Sequence, residues 1–131
     1  MSFSSREEPS TLFVRFSASV SETDAEAFVS RVETAAASLR GVLIDLRAAE
    51  DFELGARPVL LLAQRAIKRR GWRSVYLADR PIFRGLGLKV VHDADDENAS
   101  VTASQAQAEA WLDQRGPRLG GKLVALSEEK R

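Results

Sequence analysis

The chain has 131 residues, enough for one domain with its own hydrophobic core. Its 19 basic and 19 acidic side chains cancel, which removes the broad positive field that would argue for nucleic acid or an anionic membrane surface. It carries no cysteine and a single histidine, which excludes disulfides, thiol catalysis, a cysteine–zinc site and a histidine metal cluster. No apolar stretch approaches the roughly 20 residues of a membrane-spanning helix and no basic-then-apolar leader opens the chain, so a cytoplasmic domain without a membrane span is expected.

Residues 1–10 are polar and read as a flexible N-terminal arm. Thr11 to Ala18 alternates as a strand, with Leu12, Val14 and Phe16 on one face and Phe13, Arg15 and Ser17 on the other. Ser21 and Asp24 have capping-box spacing, and Glu22, Asp24 and Glu26 load the first turns of a helix with negative charge. Ala25, Phe28, Val29, Val32, Ala35, Ala36 and Leu39 recur at helical spacing and carry that helix to about Leu39.

Gly41 to Leu46 is apolar on both faces apart from Asp45, the pattern of a central strand covered on both sides. An acidic loop, Arg47 to Ala56, is expected to follow. A helix from about Arg57 to Arg70 comes next. Pro58 belongs in its first turn, so its N-cap falls no earlier than Gly55. Lys68, Arg69 and Arg70 complement its dipole, and Gly71 suits the position just past its end. Ser74 to Ala78 reads as a strand, Ile82 to Arg84 as one helical turn, Leu88 to His92 as a short strand and Asp93 to Ser100 as a loop. Thr102 and Gln105 have capping-box spacing and open a helix to about Gln114, with Ala103, Ala106, Ala110 and Trp111 inward. Residues 116–131 form a C-terminal extension, either an extra strand over Lys122 to Leu126 or a disordered tail. Helical crossovers make the strands largely parallel, with right-handed connections.

Several groups of residues invite chemistry and do not support it. His92-Asp93 has no serine or cysteine nucleophile pattern to serve. Asp93 to Asn98 lacks the glycine and glutamate that a calcium loop needs at its sixth and twelfth positions, where Asn98 and Ser104 stand, and reads as a solvated acidic loop. Gly85-Leu86-Gly87 is too short to cradle a phosphate and reads as a tight turn. Lys68, Arg69, Arg70, Arg73, Arg80 and Arg84 form a basic rim with Trp72 as the one nearby aromatic, which suits solvation better than nucleic acid. Glu50, Asp51 and Glu53 stand ahead of the second long helix and favour its N-terminus. Phe52 is the odd residue of this loop. It either tucks back as a staple against the helix or stands exposed as a partner anchor.

The order of these segments resembles the STAS domain, the family of anti-sigma-factor antagonists, over roughly residues 11–113. The resemblance is carried by Val42-Leu43-Ile44-Asp45-Leu46, by Ala63 to Trp72 with its basic helix end and Gly71, by Asp79-Arg80-Pro81, by Gly87-Leu88 ahead of a last strand, and by the alanine-rich helix with Ala106, Ala110, Trp111 and Leu112. It implies a single-domain α/β fold over residues 11–115, with roughly four to five strands in a mixed, mainly parallel sheet and about four helices.

The resemblance also implies a non-catalytic protein-interaction module with no cofactor and no metal. It would regulate by docking to a protein partner: an anti-sigma factor, a kinase-like regulator or a signalling assembly, with a homodimer also open. Aligning Gly55 with the glycine of the family's Asp-Ser-Ser-Gly motif puts Glu53 on the phosphoacceptor position. A phosphoserine carries about −1.5 to −2 charges and is removable, whereas a glutamate carries one permanent charge. The switch is therefore expected to be missing, with Glu53 either imitating the phosphorylated state or adapted to a partner that needs none. The expected docking residues are Asp51, Phe52, Glu53, Leu54, Gly55 and Arg57. Two other classes remain: an accessory subunit of a lipid-transport ABC complex, and, ranked below both, a small enzyme using the acidic loop.

Overall fold

The computed structural model describes residues 3–114; the expectation of an extra strand or tail over residues 116–131 lies outside them. The described elements are β1 (Phe3–Glu7), β2 (Thr11–Val20), α1 (Glu22–Thr34), β3 (Gly41–Phe52), α2 (Ala56–Arg69), β4 (Arg73–Leu77), α3 (Pro81–Ala94), β5 (Ala99–Thr102) and α4 (Gln105–Leu112). They make one α/β domain. The five strands lie in the order β1-β2-β3-β4-β5, with β1 antiparallel to β2 and every other pair parallel.

The sheet has two unequal faces. Leu12, Val14 and Phe16 of β2, Val42, Ile44 and Leu46 of β3, and Tyr76 of β4 share the main core with Phe28 and Val32 of α1, Leu60 and Ile67 of α2, and Phe83 and Val90 of α3. The other face holds a smaller core of Leu43, Val75, Leu77 and Ala108, with Phe13, Trp111 and Leu112 against it. The alternation read from β2 and the double-sided burial of β3 follow from this division.

Helix ends obey the local chemistry. Ser21 caps α1, its hydroxyl accepting from the Asp24 N–H at 3.0 Å. Gly55 is the N-cap of α2 and Pro58 lies in its first turn. Gly71 follows the Arg70 C-cap with φ of 72°, a conformation that costs a side-chain-bearing residue and costs glycine nothing.

Several expectations are corrected. Residues 1–10 are not simply an arm: residues 3–7 form β1, because Phe3 packs on Phe16 and Phe28 at ring-centroid distances of 5.1 and 6.3 Å. α1 stops at Thr34, short of Leu39, with Ala35 already extended. Arg47 to Phe52 is strand, not loop. The β2–β3 register slips between Arg15 and Ser17 and again between Ala18 and Ser19, and those bulges let the pair continue to Val20 opposite Phe52.

The turn and short strand expected over Ile82–His92 are one helix, α3, so Gly87-Leu88 lies inside it and precedes no strand directly. Gly87 is there for space. A Cβ at that position would lie 3.2 Å from Tyr76 Cβ and 3.3 Å from Val101 Cγ2, so its absence lets α3 approach the sheet. The last strand is β5, inside the expected loop. The cap of α4 is Ser104, whose hydroxyl accepts from the Gln107 N–H at 3.2 Å, while Thr102 donates to Gln107 Oε1 at 2.6 Å. The buried residue of α4 is Ala108, with Ala103, Ala106 and Ala110 exposed and Trp111 half-buried.

The acidic 93–98 segment is solvated at Asp93, Asp95 and Glu97, but Asp96 is buried. Its Oδ2 accepts from Gln64 Nε2 at 2.8 Å and its Oδ1 from the Asn98 N–H at 3.0 Å. Gln64 also donates to Ser74 Oγ at 2.9 Å and accepts from Tyr76 Oη at 2.7 Å. This buried cluster ties α2, β4 and the α3–β5 connection together, and buried polar groups satisfied in this way fix one packing arrangement.

Candidate docking surface at the carboxyl end of the sheet

β3 delivers Asp51 and Phe52 to the carboxyl edge of the sheet, and Glu53 to Gly55 turn the chain into α2. Open parallel sheets build binding sites at this edge because the connections there are free to vary. The residues of the turn face different ways. Asp51 is exposed. Phe52 is half-buried and meets Phe83 of α3 edge-on at 5.9 Å, so it tucks back into the main core, as one of its two readings expected, with α3 supplying the ring contact.

Glu53 is anchored at both ends. Its N–H donates to the Val20 carbonyl at 3.0 Å, and its Oε1 accepts from the Glu22 N–H at 2.8 Å. Glu22 opens α1, where the first N–H groups lack partners within the helix and carry partial positive charge. Glu53 therefore caps α1. The carboxylates ahead of α2 were expected to serve the α2 N-terminus, and this one serves its neighbour. Gly55 sits against the same turn: a Cβ there would lie 2.6 Å from Glu22 Oε1.

Leu54 lies between these two anchored positions and is 82% exposed, ahead of Ile82 at 61%, Leu88 at 57% and Leu62 at 54%. Arg57, in the first turn of α2, is exposed beside it. At the start of α3, Ile82 and Arg80 present a second apolar–cationic pair, with the Arg80 guanidinium 4.7 Å above the Phe83 ring. Through the Phe52–Phe83 contact the turn before α2 and the start of α3 are linked at the carboxyl end of the sheet. The sequence reading missed Ile82 and Arg80 as members of this edge. The available signal was Pro81, which starts α3 as Pro58 helps start α2.

Among the described residues, the titratable side chains near this edge stand apart. His92 is exposed in the last turn of α3, and Asp79 and Asp51 stand on separate strand ends. Among the described residues, no group of His, Asp and Glu is placed to hold a metal ion. A concavity of about 650 Å³ lies at the opposite, amino end of the sheet, beside Arg40, Arg70, Gly71 and Trp72. The basic rim is divided between ends and duties. Arg70 Nη1 bonds the Val32 and Ala35 carbonyls and Arg73 Nε the Trp111 carbonyl, whereas Arg80 and Arg84 lie at the carboxyl edge.

Known structures share this architecture. The anti-sigma factor antagonist SpoIIAA in its unphosphorylated form superposes with a TM-score of 0.62 at 13% identity, covering 82% of this chain and 94% of that one. An anti-sigma factor antagonist from Mycobacterium paratuberculosis gives 0.62 at 15% identity, covering 86% and 93%. An uncharacterized Shewanella loihica protein with a SpoIIAA-like fold gives 0.57 at 15% identity, covering 84% and 91%. No protein-family model matches the sequence, and no curated protein matches it. The chain is thus a single α/β domain with a mixed five-stranded sheet. In fold it is a STAS-like domain, the architecture of SpoIIAA.

Proposed function

We propose that this chain is a non-catalytic protein-interaction module that docks a partner protein through the carboxyl edge around Asp51–Arg57, with no phosphorylation switch at position 53. The observation that carries the reading is Leu54. A leucine 82% exposed, directly after Phe52 and Glu53, which neighbouring elements hold in place, has no role in the core of the domain. Large apolar side chains held out on a fixed turn with cationic neighbours suit the centre and rim of a protein interface. The likeness in fold to anti-sigma-factor antagonists supports a partner of the anti-sigma or kinase-like kind, or a larger signalling assembly, in a cytoplasmic regulatory role.

Glu53 has a structural place in this reading and is not a phosphate imitation. Its carboxylate is engaged by the Glu22 N–H, and neither Phe52 nor Leu54 offers a hydroxyl for transfer. The partner therefore meets a constant surface. The test is affinity capture from the native cell, followed by titration of the recovered partner with the wild type and with Leu54→Asp. The reading expects Leu54→Asp to weaken binding at least tenfold while melting as the wild type does. Equal binding by the two proteins would overturn it.

A further inference from the structure

The zero net charge hides a separation between neighbouring helices. α1 turns Glu22, Glu26 and Glu33 outward, with Ser30 among them. Its single cation, Arg31, points away to Glu7 of β1 at 2.7 Å. α2 has no acidic residue, and its outward stripe is Pro58, Leu62, Arg65 and Arg69. The spacing i, i+4 puts like charges together in both stripes, Glu22 with Glu26 and Arg65 with Arg69, an arrangement that costs an isolated helix a little. Among the described residues, the salt bridges Arg6–Glu8, Arg31–Glu7, Arg47–Asp45 and Lys89–Asp93 use none of these side chains.

α1 and α2 lie side by side, parallel and in step. At one end Gly55 meets Glu22, and at the other the Arg70 guanidinium holds the Val32 and Ala35 carbonyls. A two-fold axis parallel to both helices, running between them and just above them, sets α1 of one copy on α2 of the other, and the reverse. Levels along the helices are preserved by that operation. With Gly55 level with Glu22, Leu62 then falls over the small Ser30 of the second copy and Arg65 beside its Glu33. The alternative axis, across the helices, would set acidic on acidic and basic on basic.

We propose that the outer face of α1 and α2 is an isologous interface for a second copy of this chain. It is independent of the carboxyl-edge docking surface, which it leaves open at Leu54 and Ile82. Each helix is about 20 Å long and 10 Å wide, so the footprint is at the small end of specific interfaces, and the dimer is weak and salt-sensitive. Charge complementarity of this kind selects the partner and its orientation more than it adds affinity.

The test is sedimentation equilibrium of the full chain at low salt and at high salt. The expected result is a concentration-dependent dimer at low salt whose dissociation constant rises at least tenfold at high salt. Arg65→Glu and Glu33→Arg should each weaken the dimer at least tenfold. The combination of Glu33→Arg with Arg65→Glu should restore it, because each reversed charge then meets its opposite across the axis. All these positions are exposed, and circular dichroism checks that each variant is folded. A chain that stays monomeric at low salt and high concentration overturns the proposal. So does a dimer that neither reversal weakens, or one that the double reversal fails to restore.

Discussion

The Glu53 carboxylate accepts a hydrogen bond from the Glu22 backbone N–H at 2.8 Å, joining the turn before α2 to the first turn of α1 across 31 residues of sequence. Caps of this kind contribute about 0.5 to 2 kcal/mol, the low end applying to an exposed position such as this one. Glu53→Ala should lower the melting midpoint by a corresponding few degrees. Glu53→Gln keeps an acceptor oxygen and should melt closer to the wild type. Binding to the partner at low salt should be unchanged by Glu53→Gln. A large loss of affinity in that variant, with stability intact, would restore phosphate imitation as the role of Glu53.

Phe52 and Leu54 are two residues apart and should separate stability from binding. Phe52 packs on the buried Phe83, so Phe52→Ala should destabilise the domain by about 2 kcal/mol, below the range for a fully buried ring. Leu54 touches no core, so Leu54→Asp should leave the denaturation midpoint unchanged and act on binding alone. Thermal denaturation of both variants checks the first half of the statement. A stable Phe52→Ala protein would place the ring outside the core.

Tyr76 is the chain's one tyrosine, so phenolate absorbance reads it alone. Burial first, and the Asp96 carboxylate second, push its hydroxyl well above the ordinary value. The unfolded chain ionises near pH 10 and the folded one does not. Rising pH therefore favours the unfolded state: the stability is full below about pH 10 and falls as pH climbs past it. Tyr76→Phe should cost about 1 to 2 kcal/mol near neutrality, because Gln64 Oε1 loses its donor, and should remove this alkaline decline. A phenol that titrates near pH 10 while the domain remains folded would contradict the buried cluster.

Much of the fold was legible because local chemistry and burial agreed. Gly41 to Leu46 is apolar on both faces and is central; Ser21, Pro58 and Gly71 mark helix ends that occur within a residue or two of the expected places. The misreadings come from tertiary contacts. β1 has one apolar anchor, Phe3, and its pairing with β2, with Phe3 set on Phe16 and Phe28, makes it a strand. Gly85 and Gly87 broke the helical pattern of α3 on paper, yet Gly87 is needed by Tyr76 and Val101, residues far away in sequence. The exposure pattern of the proposed docking edge was legible in part. Leu54, Arg57 and Asp51 were named from the sequence and are exposed there. The inward turn of Phe52 and the capping of α1 by Glu53 depend on packing between elements, which a local pattern does not encode.

Site-specific photocrosslinking in the native cell tests the docking surface most directly. A photoreactive residue replacing Leu54 is compared with one replacing Ser38, an exposed position at the opposite end of the sheet. The account predicts a discrete adduct with a partner protein from position 54, lost when Arg57→Glu is added, and no such adduct from position 38. A partner captured from position 38 and not from position 54 would contradict it, and would move the working surface of the domain to the amino end of the sheet.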